Sequence, residues 1–424
     1  MLRPEDNERL VRVGRGTPGG EFLRRYWQPA LLSTELPAEA DGPPVRVRLL
    51  GEDLIAFRDT DGIVGLVDAY CPHRLAPLFF GRNEECGLRC IYHGWKFDRR
   101  GDCVDMPSEP EGTPLQAKVK LVAYPTHEAG GVVWAYMGPA EHMPPCPNFE
   151  WMRAAETHRF VSKTFQQCNY LQAMEGGLDT AHSSFLHSNK LGDRNELRNR
   201  DRSPRIAVEP TDYGYWYSST RNVSEEQDYI RIYHFFMPNQ QMRGMARTAT
   251  GELAAVPKLD GHIWVPIDDH TCHVYNWGCS SDPAVPLTRE YVEAFEKFAG
   301  RGADDYIPGT FKLKRNPSND YLIDREMQKT QTYTGITGLN TQDMALQEGM
   351  GPIVDRSREF LGTSDRAIVV MRRLMLEGIA AVEAGRLPRG IDPEASCGVR
   401  AHDDLVPKGA DWKELFADKL KAVW

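Results

Sequence analysis

Alternating apolar and polar residues predict a β-rich region in the first third of the chain. In residues 45–49, valine and leucine alternate with arginine, which is the two-residue period of a half-buried strand. Apolar runs at residues 54–57 and 63–67 flank Asp61-Gly62, a dipeptide typical of hairpin turns. Residues 95–97 form another such run, before a turn at residues 98–101. These elements indicate small antiparallel sheets with tight turns.

The second half of the chain combines strands with longer helical patterns. Aromatic and β-branched runs predict strands at residues 213–220, 229–237, 262–267 and 272–277. Helical periodicity predicts helices at residues 165–180, 287–299, 341–360 and 364–384, the last with Ser364 or Asp365 as its N-cap. Strands followed by helices predict an α+β domain with helices on one face of an antiparallel sheet.

A proline-rich stretch separates these two patterns. Residues 138–147 contain four prolines, which fit neither a helix interior nor a central strand. We therefore predict three parts: an N-terminal helical segment at residues 1–40, a β-rich domain at residues 41–147 and an α+β domain at residues 148–424. A chain of 424 residues also exceeds the usual size of a single core.

Composition and charge narrow the class of protein. Hydrophobic residues make up 41% and charged residues 26%, which is typical of a soluble globular protein. The net charge of −9 provides no basic excess for nucleic acid. No apolar run approaches the ~18 residues of a membrane span, and the N-terminus does not resemble a signal peptide. Nine cysteines without framework spacing favour a reducing cytoplasm.

Two cysteine–histidine pairs predict a metal centre. They are Cys71 with His73 and Cys90 with His93, all within one short window. Two thiolates and two imidazoles can bind tetrahedral zinc. They can also bind a [2Fe–2S] cluster, with both cysteines on one iron and both histidines on the other. The spacing alone does not distinguish these two centres.

A second group of metal-binding residue types lies at Asp179, His182 and His187. Asp179 and His182 share one helix face, but His182 and His187 lie about 140° apart on an ideal helix. Both histidines can therefore face one metal only if the helix ends or bulges between them. Two histidines and a carboxylate form the facial triad of non-haem iron sites. Two surface histidines beside a helix-capping aspartate are the alternative.

The residues around the first motif resemble the cluster-binding loops of Rieske proteins. These loops read Cys71-Pro72-His73-Arg74 and Cys90-Ile91-Tyr92-His93-Gly94-Trp95. Ala76 and Tyr92 stand where respiratory Rieske proteins carry a pair of disulfide-bonded cysteines, so the resemblance is to the oxygenase and ferredoxin branch. Asp-x-x-His-x₄-His after such a domain is similar to the iron motif of Rieske non-haem iron ring-hydroxylating oxygenase α subunits. Residues 24–29, 171–179 and 351–357 resemble the phthalate dioxygenase branch in particular.

The resemblance implies a fold and a set of ligands. The expected fold is an all-β Rieske domain followed by a helix-grip (START/Bet v 1-like) catalytic domain. The expected cluster ligands are Cys71, His73, Cys90 and His93, with the cysteines on the buried iron. The expected ligands of the mononuclear iron are His182, His187 and Asp343, with Glu348 and Asp355 as rivals for the carboxylate.

Asp179 has a different implied role, as a link between the two metal centres. In this family the matching aspartate joins an iron-bound histidine of one subunit to a cluster histidine of the next. Here it would join His182 to His93 across an interface. Such a link requires a homo-oligomer, either a trimer or two stacked trimers.

The implied function is that of a terminal oxygenase component. A separate NAD(P)H-dependent reductase of the flavin and iron–sulfur type would supply electrons, and the chain would use O₂ to hydroxylate, dihydroxylate or O-demethylate an aromatic, carboxylated compound. Candidate carboxylate partners, with solvated loop charge as the alternative reading, are Arg194, Arg198, Arg200, Arg202 and Arg205. The alternative functions are a Rieske electron carrier without oxygenase activity and a zinc-stabilised binding module. About 270 residues beyond the cluster domain argue against a small electron carrier.

Overall fold

The structure is a computed structural model that describes residues 2–424. Two compact units make up this part of the chain. The β-rich unit spans Val13–Cys146, and the α+β unit combines residues 2–12 with Pro147–Trp424. The division therefore falls inside the proline-rich stretch. Among the described helices, none combines the length and the apolar content that a membrane span requires.

Nineteen strands and eleven α-helices are found within residues 2–424. The strands are β1 (Trp27–Leu32), β2 (Val45–Leu49), β3 (Glu52–Arg58), β4 (Val64–Asp68), β5 (Arg82–Glu84), β6 (Gly87–Arg89), β7 (Lys96–Asp98), β8 (Cys103–Asp105), β9 (Ala123–Tyr124), β10 (Thr126–Ala129), β11 (Val132–Tyr136), β12 (Arg159–Gln166), β13 (Arg205–Thr211), β14 (Gly214–Asn222), β15 (Gln227–Phe236), β16 (Gln240–Arg247), β17 (Leu253–Pro266), β18 (Cys272–Ser280) and β19 (Asp403–Pro407). The helices are α1 (Pro4–Val11), α2 (Pro18–Leu23), α3 (Glu150–Arg153), α4 (Tyr170–Leu178), α5 (Leu197–Arg200), α6 (Arg289–Ala299), α7 (Arg325–Thr330), α8 (Leu339–Gly349), α9 (Arg366–Glu383), α10 (Glu394–Cys397) and α11 (Trp412–Phe416).

The β-rich unit contains three small antiparallel sheets. Their strand orders are β1-β11-β10, β2-β3-β4-β9 and β5-β6-β7-β8. The N-terminal region differs from the predicted helical segment at residues 1–40, because this segment contains strand β1. Every residue of β1 is buried, and the strand pairs with β11. The same segment contains helix α2, which Thr17 caps by accepting a hydrogen bond from the Gly20 amide.

The α+β unit is an antiparallel sheet with helices packed against it. The sheet runs β12-β18-β17-β16-β15-β14-β13, and β19 pairs with β15. Helix α4 contacts β17, and the long helix α9 contacts β13 and β14. Helix α1, from the N-terminus, packs against α4 and α9 within the same unit. The predicted α+β class, with helices against an antiparallel sheet, is confirmed.

Two helices are shorter than their predicted ranges, and local chemistry explains both. The range 165–180 begins as the end of β12, and α4 starts only after Asn169, whose side chain accepts a hydrogen bond from the Leu171 amide at 3.0 Å. The range 341–360 ends with α8 at Gly349, because Gly351 has a φ of +90° and Pro352 cannot continue a helix.

A buried ionic network joins α4 to α9 and to the segment after α8. The Glu175 carboxylate accepts hydrogen bonds from Arg356 Nη2 at 2.8 Å and Arg372 Nε at 2.6 Å. Arg356 is fully buried, and Arg372 is 5% exposed. Glu359 also pairs with Arg372, at 2.7 Å, so two carboxylates compensate the two guanidinium groups and Glu175 bonds both of them.

We expect Glu175→Gln to lower the free energy of unfolding by about 3–5 kcal/mol, because it leaves the buried Arg356 guanidinium without its carboxylate partner and removes one of the two carboxylates that pair with Arg372. Urea unfolding followed by far-ultraviolet circular dichroism measures the change. The control is Glu377→Gln, since Glu377 pairs with Arg373 on the exposed face of α9 and its loss should not move the unfolding midpoint. Equal midpoints for both variants would contradict the role of the network.

Candidate metal centres

Cys71 and Cys90 begin two loops of similar geometry in the β-rich unit. The first loop follows β4, and the second lies between β6 and β7. The Leu75 amide donates to the Cys71 carbonyl at 2.9 Å, and the Gly94 amide donates to the Cys90 carbonyl at 2.9 Å. Leu75 and Gly94 both have positive φ, +58° and +81°. Each cysteine therefore begins a tight turn in which its carbonyl accepts a hydrogen bond from the amide four residues later. The two turns have the same length.

The four cluster-type side chains gather at these loops. Cys71 and Cys90 are buried in the core of the unit, at 1% and 4% exposure. The rings of His73 and His93 lie 4.5 Å apart, and His73 stacks on Trp95 at 4.3 Å. The cysteines thus form the inner side of the site and the histidines its outer side.

The donor atoms fit a two-iron cluster better than a single zinc ion. His73 Nδ1 is buried and has no hydrogen-bond partner within residues 2–424, as expected of a metal-binding nitrogen. Burial raises the pKa of the Cys71 thiol to about 11, so a bound cation is needed to hold it as a thiolate. No three of the four donor atoms gather within 4.8 Å in the described chain, whereas the second centre meets that condition. A tetrahedral ion would require such a gathering.

His182, His187 and Asp343 converge in the α+β unit. Their donor atoms lie within 4.8 Å of one another. His182 Nε2 is 3.1 Å from His187 Nε2, and Asp343 Oδ1 is 3.5 Å and 3.3 Å from these two nitrogens. Adjacent ligands on an octahedral ion with bonds of about 2.1 Å lie about 3.0 Å apart. The three atoms therefore have nearly the spacing of one face of an iron coordination sphere.

The protonation of the two histidines points to a cation between them. His182 Nδ1 lies 3.5 Å from Asp179 Oδ2, and His187 Nδ1 lies 2.9 Å from Gln342 Oε1. Both Nδ1 atoms thus face acceptors and carry the protons, which leaves both Nε2 atoms bare. Two nitrogen lone pairs and a carboxylate oxygen then converge, and none of these three atoms carries a proton for a hydrogen bond. A divalent cation satisfies that arrangement.

A change of helix type brings the two histidines together. Helix α4 ends at Leu178, Asp179 has extended φ and ψ, and a 3₁₀ turn follows at His182–Ser184. The ring centroids of His182 and His187 are consequently only 4.9 Å apart. This is the interruption that the five-residue spacing required. The straight-helix picture, in which Asp179 and His182 share one helix face, does not hold, because both lie beyond the end of α4.

Asp179 lies beside the iron-type site but does not join the three converging atoms. Its Oδ1 accepts a hydrogen bond from the Ala181 amide at 2.7 Å, and its Oδ2 faces His182. Burial alone would raise the pKa of Asp179, but the interaction with His182 lowers it below its usual value. Asp179 is therefore an ionised acceptor that orients the His182 ring.

The rival carboxylates are engaged elsewhere. Glu348 accepts hydrogen bonds from the Gln167 amide at 2.8 Å and from the Tyr321 hydroxyl. Asp355 accepts from the Ser357 amide and hydroxyl in an exposed turn. Of the three candidate carboxylates, the structure brings only Asp343 to the two histidines.

The iron-type site opens into a cavity of about 500 Å³ within the α+β unit. Helix α8 and the segment after α4 supply the three metal-type donors, while α4 and the sheet strands line other parts of the cavity. Helix α4 lies close to β17, since a Cβ atom on Gly177 would stand 2.2 Å from Trp264. The cavity lining therefore combines the three metal-type donors with side chains from the sheet, here called the sheet side.

Four arginines of the strands line the cavity, and two of them, Arg231 and Arg243, lie on the paired strands β15 and β16. Arg243 Nε donates to Asp260 Oδ1 at 2.6 Å, and its Nη2 lies 3.2 Å from His262 Nε2. Burial, and then the Arg243 charge, lower the pKa of His262 to about 3, so His262 is a neutral acceptor. Arg231 Nε donates to the Gly244 carbonyl at 2.9 Å. Within residues 2–424, no carboxylate lies within ion-pair distance of Arg231, which leaves its outer nitrogens for an anionic ligand.

The arginines singled out from sequence have other positions. Arg198 lines the cavity, but it donates to Glu196 at 2.6 Å and to the His187 carbonyl at 2.8 Å. The side chains of the other four do not line the cavity. Sequence reasoning missed Arg231 and Arg243. No local signal in the sequence separates them from solvated arginines, because the side chains on the same faces of β15 and β16 range from buried to exposed.

Two family models match the chain. A Rieske [2Fe-2S] domain matches residues 26–125, and the domain described as LigXa C-terminal domain like matches residues 135–423. The two matches together cover both groups of metal-type side chains. The predicted resemblance to Rieske proteins is confirmed.

Curated relatives match over the full chain. The chain is 40% identical to the phthalate 4,5-dioxygenase oxygenase subunit of Pseudomonas putida, over 100% of this chain and 96% of that protein. It is 38% identical to the 3-chlorobenzoate-3,4-dioxygenase oxygenase subunit of Comamonas testosteroni, over 100% of both. Among solved structures, an NdmA variant of Pseudomonas putida CBB5 with theobromine has a TM-score of 0.64 at 18% identity, covering 92% of this chain and 98% of that one. This last similarity concerns the fold.

Proposed function

The chain belongs to the Rieske oxygenases as an oxygenase subunit, and on that premise we propose that it oxidises an aromatic carboxylate at an iron bound by His182, His187 and Asp343. The observation that carries the proposal is the convergence of these three donors at the cavity. An oxygenase is favoured over an electron carrier because the matched catalytic domain spans residues 135–423.

Each bound group would have a distinct part in the chemistry. When bound, the cluster supplies single electrons and the mononuclear iron supplies O₂ activation at its open positions. Cys71, Cys90, His73 and His93 would hold the cluster. The facial set would leave the cavity side of the iron open to substrate.

Asp179 is proposed as the link between the two centres. It is ionised, orients the His182 ring and keeps about a quarter of its side-chain surface exposed. An ionised carboxylate can accept a second N–H, and we assign that donor to His93 of the partner subunit. The link would fix both rings and provide a short hydrogen-bonded path for the electron.

This arrangement needs an oligomer, and we propose a homotrimer or two stacked trimers. Apolar side chains of the cluster loops are unusually exposed: Leu75 at 71%, Ile91 at 63% and Tyr92 at 54%. Three such side chains around one redox site favour a surface that another subunit covers. A separate reductase of the flavin and iron–sulfur type would supply electrons. All nine cysteines are thiols, which supports a cytoplasmic location.

The cavity supports a carboxylated substrate. Two relatives act, by name, on phthalate and 3-chlorobenzoate, which are both aromatic carboxylates. Arg231 and Arg243 both line this cavity. The outer nitrogens of Arg231 can bind a carboxylate in bidentate fashion, and Arg243 on the neighbouring strand adds positive charge. A carboxylate held there would direct the ring toward the iron.

We expect Arg231→Leu to raise KM for an aromatic acid about 10- to 100-fold, with a smaller change in kcat. The reason is the loss of a charge-assisted hydrogen bond of about 1.5–3 kcal/mol in a buried site. Initial rates over a range of substrate concentrations measure it. Arg194→Leu is the control, because Arg194 is exposed and outside the cavity. An unchanged KM in the Arg231 variant would exclude it as the carboxylate partner.

One assay tests the proposed function as a whole. The purified chain is combined with a flavin and iron–sulfur reductase, NADH or NADPH, ¹⁸O₂ and a panel of aromatic acids. Two labelled oxygens in the product indicate dihydroxylation, and one indicates monohydroxylation. Release of a methyl group indicates O-demethylation. Cluster reoxidation without any product, in a chain that holds both metals, would favour the electron-carrier alternative.

A further inference from the structure

Gln342 joins an iron-type ligand to the backbone before α8. It lies next to Asp343 on α8 and is only 3% exposed. Its Oε1 is 2.9 Å from His187 Nδ1, and its Nε2 donates to the Ile336 carbonyl at 2.9 Å. Both ends of this buried amide are therefore bonded, one of them to the His187 ring.

The second bond determines which way the amide faces. A backbone carbonyl can only accept, so the Ile336 carbonyl holds the NH₂ group of Gln342 and turns Oε1 toward His187. An amide oxygen can only accept, so His187 Nδ1 must carry the ring proton. Nε2 then keeps its lone pair, and this is the atom that lies 3.3 Å from Asp343 Oδ1.

The two histidines thus have partners of different charge. His182 faces the Asp179 carboxylate, whereas His187 faces a neutral amide. Asp343 and Asp179 together carry two negative charges, which match a divalent ion. A carboxylate at position 342 would add a third negative charge within this buried site. A neutral acceptor fixes the ring without that addition.

We propose that Gln342 is a positioning residue that holds His187 in its metal-binding tautomer and orientation. This inference rests on the proposed mononuclear iron site. Gln342 reaches the metal through His187 alone and does not touch the substrate side. Its effect should therefore appear first in metal affinity and in the state of the His187 ring, and only afterwards in turnover.

The first test measures ferrous iron binding in anaerobic protein, by competition with a chromophoric chelator. We expect Gln342→Leu, which removes the acceptor at similar size, to weaken Fe(II) binding about 10- to 100-fold. We expect Gln342→Glu to recover most of that loss, since it restores an oxygen acceptor. The control is Gln347→Leu on the same helix, because Gln347 is a buried amide that accepts from Gln166 at 2.6 Å and contacts neither histidine. It should bind Fe(II) as the unaltered chain does.

The second test observes the His187 ring by spectroscopy. It can be made on Gln342→Glu alone if Gln342→Leu folds poorly. With the cluster oxidised and therefore silent, pulsed electron paramagnetic resonance of the ferrous nitric oxide adduct reports the remote ¹⁴N atoms of the bound imidazoles. We expect one remote nitrogen to change its quadrupole coupling in Gln342→Glu and in Gln342→Leu, and the other to stay constant. Unchanged iron affinity in Gln342→Leu, or unchanged couplings in Gln342→Glu, would overturn the inference.

The Fe(II) titration of His187→Ala distinguishes an error about Gln342 from an error about the proposed iron site. If the unaltered chain binds Fe(II) and His187→Ala abolishes that binding, the proposed iron site is supported, whatever the result for the Gln342 variants. If His187→Ala binds Fe(II) as the unaltered chain does, the proposed site itself is wrong. The two results are read from the same titration.

Discussion

Asp179→Asn is expected to retain both metal centres and to lose nearly all coupled turnover, falling to about 1% of the unaltered rate or below. The asparagine oxygen can still accept from the Ala181 amide, as Asp179 Oδ1 does at 2.7 Å. Its NH₂ group then faces His182 Nδ1, where the native carboxylate accepts. The ring loses its acceptor, and the negative charge that links the two centres is gone.

Stopped-flow spectroscopy tests this expectation separately from metal loss. The cluster is reduced beforehand and mixed with O₂ and an aromatic acid, and its reoxidation is followed in the visible band. We expect slow reoxidation at normal iron content. Asp193→Asn is the control, since Asp193 makes the same kind of turn bond, to the Asn195 amide at 2.8 Å, but faces no histidine. Normal coupled turnover in the Asp179 variant would remove its bridging role.

Cys71→Ser is expected to abolish the cluster and all oxygenase activity. A buried serine hydroxyl does not provide the thiolate that iron requires. Burial already raises the pKa of the Cys71 thiol to about 11. A serine hydroxyl at this position would therefore stay protonated and would not bind iron as an anion. Visible absorbance, the signal of the reduced cluster in electron paramagnetic resonance and iron content measure the loss.

A second buried cysteine provides the control for the cluster. Cys103 lies in the same core, and its Sγ contacts the Asp105 carbonyl at 3.6 Å. Cys103→Ser should keep the red-brown colour and the activity. A colourless Cys71 variant with full oxygenase activity would refute the assignment of both the cluster and the enzyme.

The cluster loops could be predicted from sequence because their information is local. Each cysteine and histidine lie two or three residues apart, and a single turn brings both to one place. The β-rich pattern around them is local too. The same holds for the break after α4, which the five-residue spacing of His182 and His187 predicts if both histidines are to face one metal.

The rest of the site depends on contacts far apart in sequence. Asp343 was named by resemblance alone, and its neighbour Gln342 lies 155 residues from its partner His187. Arg231 and Arg243 face one cavity because β15 and β16 pair with Tyr233 opposite Arg243. A register of that kind cannot be read from a single sequence. The boundaries of β1 and α8 depended in the same way on strand pairing and on the φ of Gly351.

The separation of metal donors from sheet-side arginines has a consequence for protein engineering. The proposed iron ligands lie on α8 and in the segment after α4, whereas the proposed substrate-binding arginines lie on β15 and β16. Libraries that vary Arg231, Tyr233, Arg243 and Met245 should change which compounds are accepted while iron loading stays constant. New substrate ranges can thus be selected at these strand positions without changing the proposed iron ligands.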